Sequence, residues 1–561
     1  MTLPAPTPSS VNVWLAELPL ANLEYCSDAV MAALEAFNAR PDLPGTIRFE
    51  LAELIRPCAL MLAERNQSHF VDAPLPYLPG PRVHAIFSLQ LYQGLAAAYR
   101  LSVSDFLLHA NRTSDALGFG LYRFFQHSGR ILLNSAQLYE FSGESFWSEL
   151  YRLYLEAEGR GLQSMRIEDA DEPDACKTPL GQFKRILLFA LADVHRFRQR
   201  DMQRIFSLLG KAAEQADWSR EPVRNGAFCV DFATDRPPFR CRAHEGVPQP
   251  NLRSLSTFQL ASALQKEAKK FTLAGAKGAI DKVLLMRLGN TFGAMDHRRS
   301  RRSVEDGECS VIIGLPGLIR VLSAPSVLRE GSQPGLPVFK VQQAEWLGIP
   351  QCELTTNEGA MLNTVEGRAD RNESAINSLL DDDQFHVSRD QIWGGQTIGQ
   401  VDSSELESGL KGDIVNSSSR GYCIIWLQDQ ISKAKTGELV GVSVNRGMPH
   451  VGVMRWLIYD YGLLKFGVEL LAPTAEVVDL ADDSLTPKGM GLLLPLNPIL
   501  RKAPELLVSS DGIEPGTVLQ ITGERVRQWY RLEELLETNP SITRFSLAEV
   551  PSDLANGSVD V

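Results

Sequence analysis

The spacing of apolar residues changes near Asp296, and this change limits the folds that the 561-residue chain can adopt. Before it, apolar residues recur every three or four positions, the spacing typical of amphipathic helices. After it, short segments rich in Val and Ile are bounded by Gly and Pro, which is typical of antiparallel strands. We therefore predict an α+β multidomain protein: an α-helical N-terminal domain, an antiparallel β-barrel with an inserted acidic loop, and a β-rich C-terminal unit.

The N-terminal region, residues 1–217, carries a series of segments with helical spacing. They are residues 22–39, 44–64, 81–98, 104–125, 143–158 and 179–214. The last is expected to break near Arg200, and Ser104 and Ser142 are predicted N-caps because their short hydroxyl side chains accept hydrogen bonds from free helix amides. Helices joined by short turns favour antiparallel packing. The sequence thus predicts an α-helical domain that binds a protein partner, with a purely structural bundle as the alternative.

Residues 218–295 interrupt this pattern and are predicted to form a connector. Segments 227–233 and 239–242 flank a Pro-containing turn and predict a small hairpin. Two helices, at 255–271 and 277–288, are expected to follow. Ser254 or Ser256 is the predicted cap of the first of these helices.

The predicted barrel covers residues 296–475, and the β-rich C-terminal unit covers residues 476–561. Barrel strands are expected within 308–322, 413–427, 438–444, 451–459 and 464–471, and C-terminal strands within 489–496, 506–510, 516–522, 525–532 and 542–547. An insertion at about 323–398 separates the first two barrel strands. The residues of the C-terminal unit assign it no function.

Negative charge is concentrated around the insertion. The chain has a net charge of −12, and residues 351–410 hold 12 acidic and 3 basic residues. This composition favours a partly disordered loop, and a partner-binding acidic segment is the alternative. Because the whole chain is acidic, no nucleic-acid partner is expected.

The cysteines and the apolar runs indicate a cytoplasmic protein. The eight cysteines include no CxxC pair and are predicted to be free thiols in a reducing compartment. The first ten residues lack the basic and apolar regions of a signal peptide. The longest strongly apolar run, 186–192, is far shorter than the ~20 residues of a membrane helix, so no integral membrane segment is expected.

A search for catalytic motifs finds none. The sequence contains no HExxH, GxSxG or P-loop pattern, and the nine histidines do not pair at metal-ligand spacing. We therefore predict no catalytic residue, no metal and no cofactor. An enzyme with an unrecognised site is kept as an alternative.

An arginine cluster directly precedes the first predicted barrel strand. Arg298, Arg299, Arg301 and Arg302 fall within five residues. The guanidinium fork binds phosphate in bidentate fashion, stacks on aromatic rings and pairs with O6 and N7 of guanine. The cluster therefore indicates a site for a guanine nucleotide, a peptide or a nucleic acid, with a solvated basic turn as the alternative.

A second polar motif, Asn-Ser-Ser-Ser-Arg-Gly, begins at Asn416 and ends at Gly421. Amide, hydroxyl and glycine residues are ordinary turn residues. They also suit an anion or a base edge that approaches the backbone closely. Taken alone, the motif favours an ordinary turn.

Together the two motifs resemble the PilZ family of cyclic di-GMP receptors. The family pattern is RxxxR ahead of a six-stranded barrel and [D/N]xSxxG on an early barrel strand. Arg298 and Arg302 match the first element, and Asn416, Ser418 and Gly421 match the second. A strand ending in Arg455-Trp456 and a closing strand with Phe466-Gly467 resemble the end of a PilZ barrel. One departure is the 113 residues between the two motifs, which we assign to the acidic insertion.

The resemblance implies a bacterial cyclic di-GMP sensor that couples nucleotide binding to a protein partner of the helical domain. Arg298 and Arg302 would bind the phosphates and guanine edges, and Arg299 and Arg301 would either assist or remain solvated. Asn416 would contact a guanine edge, Ser418 a phosphate, and Gly421 would allow close approach. Family analogy suggests an output in motility, pili or exopolysaccharide. The alternative is a degenerate PilZ adaptor that does not bind nucleotide.

Overall fold

The computed structural model describes residues 3–108, 114–169, 172, 176–220, 227–241, 251–270, 275–293, 303–323, 409–418, 420–426, 434–445, 447–460, 463–495, 503–509 and 513–550. The chain divides into two compact units. The first comprises Met1–Glu267 and Met286–Met295, and the second comprises Ala268–Leu285 and Asp296–Val561. Helices dominate the first unit and β-barrels the second, which confirms the predicted fold class.

Amphipathic helices build most of the first unit. They are α1 (Pro8–Ala16), α2 (Leu23–Asn38), α3 (Gly45–Phe70), α4 (Pro79–Leu108), α5 (Ser114–Gln137), α6 (Phe146–Gly159), α7 (Pro179–Leu191) and α8 (Gln199–Ala212). Side-chain caps begin several of them, because the Asn22 carboxamide oxygen accepts from the Tyr25 amide and the Thr178 hydroxyl accepts from the Gly181 amide. Helix α4 packs on both α3 and α5.

Three predicted helix boundaries in this unit are wrong. Ser104 lies inside α4, which continues through residues 98–104 because this stretch contains no Gly or Pro. Ser142 lies outside α6, whose N-cap is Ser145. The long C-terminal helix breaks before Arg200, since α7 ends at Leu191 and a short 3₁₀ turn precedes α8.

A small antiparallel sheet follows the helices. Its strands are β1 (Asp217–Ser219), β2 (Ala227–Asp231), β3 (Phe239–Arg240) and β4 (Leu252–Ser256), in the order β1-β4-β2-β3. The β2–β3 pairing confirms the predicted hairpin. Ser254 and Ser256 are not helix caps, because both belong to β4, and α9 (Phe258–Lys270) begins beyond them. The first unit also contains the end of α10 (Gly275–Gly293).

The prediction that all cysteines are free thiols is wrong for one pair. Cys229 on β2 and Cys241, directly after β3, form a disulfide. The β2–β3 pairing places Cys229 opposite Phe239, two residues before Cys241, so the hairpin itself brings the two sulfur atoms together. Composition alone does not show this, because the pairing depends on the strand register.

The second unit begins with a closed antiparallel barrel. Its strands are β5 (Ser303–Ile313), β6 (Leu410–Ser418), β7 (Gly421–Trp426), β8 (Leu439–Val444), β9 (His450–Asp460) and β10 (Leu463–Ala472), closing in the order β10-β7-β6-β5-β8-β9. Helix α11 (Leu315–Leu322) follows β5. The predicted insertion falls outside the described residues except for its first position, Ser323.

The C-terminal region forms a second closed antiparallel barrel. Its strands are β11 (Glu476–Ala481), β12 (Pro487–Leu494), β13 (Glu505–Val508), β14 (Val518–Thr522), β15 (Arg527–Thr538) and β16 (Thr543–Val550), in the order β11-β12-β13-β16-β15-β14. One buried apolar cluster joins the two barrels and α11, with Leu318, Leu439, Val451, Leu507 and Ile542 all buried. Because burial of this apolar surface stabilises the contact, the barrels pack directly against each other. Among the described helices, none is long and apolar enough to cross a membrane.

Candidate functional site

The register of β5 and β6 brings the two polar motifs together. Ser303 lies opposite Ser417, and Val304 lies opposite Asn416. Arg302 is the residue before Ser303 in the sequence, so the strand that pairs with the second motif begins directly after the arginine cluster. Arg298, Arg299 and Arg302 themselves lie outside the described residues. Because β5 pairs with β6, the start of β5 lies next to the second motif although 113 residues separate the two motifs in the sequence.

The second motif lies at the end of β6 and the start of β7. Ser417 is buried opposite Tyr422, whose ring is also buried, so this pair faces the barrel interior. Asn416 and Ser418 alternate with Ser417 and are only half-buried, so their side chains lie on the outer face. The motif therefore presents its amide and one hydroxyl outside the barrel.

Hydrogen bonds fix the turn between β6 and β7. The Ser418 hydroxyl oxygen accepts from the Arg420 amide at 3.3 Å, which is a local turn bond. The Leu470 amide donates to the Arg420 carbonyl at 2.8 Å and holds the turn against β10. Ser418 can still donate its own hydroxyl proton to an acceptor such as a phosphate oxygen.

A row of paired residues continues from the motif across the outer face. Ser418 pairs with Gly421, Gly421 pairs with Glu469, and Glu469 pairs with Val453. Directly opposed residues in antiparallel strands lie on the same face of the sheet. The carboxylate of Glu469 is therefore one strand away from the polar motif.

Arg455 neutralises this carboxylate. Its Nε forms an ion pair with Glu469, and its Nη1 lies 2.5 Å from Oε1 of Glu537 on β15 of the second barrel. Burial disfavours the charged guanidinium, but the carboxylates of Glu469 and Glu537 together raise the pKa of Arg455. Arg455 is thus a fixed cation shared by the two barrels.

Tyr422, which pairs with Ser417 of the second motif, contacts His450 at the start of β9. The Tyr422 hydroxyl lies 2.8 Å from Nδ1 of His450, and the two rings stack with centroids 6.1 Å apart. Neither this pair nor the Arg455 ion pairs were predicted from the sequence. The Tyr422–His450 contact joins residues 28 positions apart, and the Arg455–Glu537 ion pair joins residues 82 positions apart on different barrels, so neither leaves a local pattern in the sequence.

The described residues contain no group of His, Cys, Asp and Glu side chains that could hold a metal ion. The arrangement that they do contain is chemically suited to binding. Half-buried amide and hydroxyl groups on a fixed turn can contact base edges and phosphates, and the strand that follows the arginine cluster in the sequence pairs with Asn416 and Ser417.

A closed six-stranded antiparallel barrel with Asn-x-Ser-x-x-Gly at the β6–β7 turn and Arg-x-x-x-Arg directly before its first strand defines the PilZ class of domain. Comparison with family models agrees, since residues 227–476 match the model described as the middle PilZ domain of the cyclic-di-GMP receptor FimW. This part of the chain is thus a PilZ domain. Residues 9–222 match a second model, described as the N-terminal domain of the same receptor.

One curated relative is similar along most of the chain. It is the cyclic-di-GMP receptor FimW of Pseudomonas aeruginosa, 25% identical over 490 residues, which cover 84% of this chain and 78% of the relative. No solved structure matches the chain. The similarity extends over both the helical unit and the PilZ barrel, so the order of domains is shared as well as the barrel.

Proposed function

We propose that this protein is a cyclic di-GMP receptor of bacterial type that binds the dinucleotide at the PilZ barrel. Arg298 and Arg302 bind the phosphates and guanine edges, and Arg299 assists. Asn416 contacts a guanine edge, Ser418 donates to a phosphate, and Gly421 keeps the β6–β7 turn open to the ligand. The pairing of Ser303 with Ser417 supports the proposal, because Ser303 directly follows Arg302 in the sequence.

The chemistry of the ligand suits this arrangement. Cyclic di-GMP presents two phosphates and two guanine bases, and guanidinium groups recognise both phosphate oxygens and the O6/N7 edge of guanine. The receptor named in the comparison supports the same ligand. The proposed role is binding and not catalysis, with no cofactor.

Coupling to a partner is the second part of the proposal. The helical unit is proposed to bind a protein partner, whose affinity changes when the nucleotide binds. The proposed location is the bacterial cytoplasm, and the proposed output is motility, pili or exopolysaccharide. A family model specific to the N-terminal region supports a distinct role for the helices.

Calorimetric titration of the full chain tests the nucleotide proposal. We expect binding of cyclic di-GMP and not of GTP or cyclic AMP. Arg302→Ala should weaken binding by about five- to 150-fold, which corresponds to about 1–3 kcal/mol for a bidentate guanine contact. Arg320→Ala is the matched control, because Arg320 is exposed on α11 and carries the same charge.

The result decides between the two candidate functions. Binding that survives Arg302→Ala unchanged would place the nucleotide elsewhere. An absence of binding by the parent chain would favour the adaptor that holds partners without nucleotide. In that case a pull-down should recover the same partners with and without cyclic di-GMP.

A further inference from the structure

A series of ion-paired side chains of alternating charge extends from the second barrel to Glu469 of the PilZ barrel, which lies opposite Gly421. It runs from Glu505 to Arg544 at 3.5 Å, from Arg544 to Glu537 at 3.9 Å, and from Glu537 through Arg455 to Glu469. The side chains of these five charged residues are at most 17% exposed. Charges with so little access to water are screened weakly by salt.

Hydrogen bonds next to these ion pairs also join the two barrels. The Asn539 side chain donates to the Gly437 carbonyl at 2.8 Å, and the Ser541 hydroxyl donates to the Glu438 carboxylate at 2.8 Å. Both donors lie in the turn between β15 and β16, immediately after Glu537 on β15. Glu537 is therefore positioned beside Arg455 by backbone and side-chain bonds as well as by its own charge.

The negative charge of Glu469 opposes the binding of an anion at the nearby polar motif. Glu469 lies directly opposite Gly421 on the outer face, and neighbouring strands are only about 4.8 Å apart. Its carboxylate would repel the phosphates of the proposed ligand unless a cation neutralised it. Arg455 supplies that cation, and Glu537 competes with Glu469 for it.

We infer that Glu537 of the second barrel and Arg455 of the PilZ barrel are positioning residues that set the affinity of the nucleotide site. This inference rests on the proposed function. Arg455 and Glu537 do not touch the nucleotide. The positive charge of Arg455 offsets the negative charge of Glu469. Because Arg455 also pairs with Glu537, less of its charge is available to offset Glu469. Because coupling is reciprocal, bound nucleotide also changes the strength of the Arg455–Glu537 contact between the barrels.

The test is a set of variants titrated with cyclic di-GMP in the full chain, two of them neutral and isosteric and one that keeps the charge. Glu537→Gln should tighten binding about three- to tenfold, because Arg455 is then left to Glu469. Glu469→Gln should tighten it at least as much, and it substitutes no residue of the second barrel. Glu537→Asp, which keeps the charge, should stay near the parent.

The matched control is Glu533→Gln, on the same strand β15 but exposed and outside the series of ion-paired side chains. Raising salt from about 50 to 300 mM should reduce the effect of Glu537→Gln less than it reduces the parent's own binding, since the pair is buried. A purely structural role for Glu537 would change the thermal midpoint but not the affinity.

Each outcome decides a separate point. If the parent binds and Glu537→Gln binds equally, or if Glu533→Gln shifts affinity by the same factor, the inference is wrong and the proposed function stands. If the parent does not bind cyclic di-GMP, the proposed function fails and the inference fails with it. If Glu537→Gln does not fold, Glu469→Gln with unchanged affinity would overturn the inference.

Discussion

Gly421 lies so close to the carbonyl oxygen of Val468 that a Cβ atom built on it would be 2.1 Å from that oxygen. The contact is with backbone, which cannot move aside without breaking the pairing of β7 and β10. The glycine of the second motif is thus required by the barrel itself. This requirement exists in addition to the proposed close approach of a nucleotide.

We expect Gly421→Ala to lower the free energy of unfolding by at least about 2 kcal/mol, because overpacking of a closed site forces backbone shifts. Thermal unfolding followed by circular dichroism measures this. The control is Gly307→Ala on β5 of the same barrel, where nothing lies within 4 Å of the added Cβ. Equal thermal midpoints for the two variants would contradict the prediction. Only in that case would a loss of nucleotide binding in Gly421→Ala indicate that Gly421 lies close to the nucleotide.

The alternation along β6 predicts that adjacent residues have different effects on nucleotide selectivity. Asn416 is half-buried on the outer face, and Ser417 faces the interior opposite Tyr422. Asn416→Ala should weaken cyclic di-GMP binding about tenfold and reduce discrimination against cyclic di-AMP, because the contact is proposed to be with a guanine edge.

Ser417→Ala is the neighbouring control. It should change barrel stability and leave the ratio of the two affinities unchanged. Competitive titration with both dinucleotides gives that ratio directly. A larger loss of selectivity in Ser417→Ala than in Asn416→Ala would show that the motif binds with its other face.

Most strands of both barrels could be predicted from the sequence, because short apolar segments bounded by Gly and Pro are a local signal, but β11 was not predicted. Strand β8, for example, lies within the predicted segment 438–444. Helix α11 was missed, because the apolar run that continues from β5 through residues 315–322 does not distinguish a buried strand from a helix. The sequence also gave no sign that the C-terminal strands close into a barrel.

The site was only partly predictable for a related reason. The motifs were visible as residue types, but the pairing of Val304 with Asn416 depends on contacts between distant parts of the chain. The Arg455–Glu537 ion pair joins two barrels and has no spacing rule at all. Family resemblance supplied the link between the motifs that periodicity could not supply.

The Cys229–Cys241 pairing predicts a definite result in thiol counting. Titration of the denatured, unreduced protein should find two fewer reactive thiols than the eight cysteines of the chain. Cys229→Ser should lower the stability of the first unit by up to about 3 kcal/mol, because the bridge closes a loop of 12 residues.

Alkylation followed by peptide mapping without reduction identifies the pair. Cys26→Ser is the control, since Cys26 is a buried free thiol whose removal leaves the bridge intact. Recovery of Cys229 and Cys241 in alkylated form from unreduced protein would restore the original prediction that all thiols are free.

Two buried histidines predict how the helical unit responds to acid. Burial lowers the pKa of His195 to about 4, and burial together with Arg130, Arg123 and Arg56 holds the pKa of His127 well below its usual value of 6.5. The unfolded chain therefore binds protons at these sites at a higher pH than the folded chain does. The stability that the neutral rings contribute is fully present above about pH 6.5 and is lost as the pH falls towards 4.

We expect the unfolding free energy of the parent to decrease across this range and that of His195→Phe to decrease less, because phenylalanine keeps an aromatic ring next to Phe141 and removes the titrating group. Urea unfolding of the full chain at pH 7.0, 5.5 and 4.5 measures both slopes. Phe141→Leu is the control, since it alters the same contact but leaves the imidazole, and its slope should match the parent. Parallel slopes for the parent and His195→Phe would show that His195 takes up its proton outside this range or without loss of the fold.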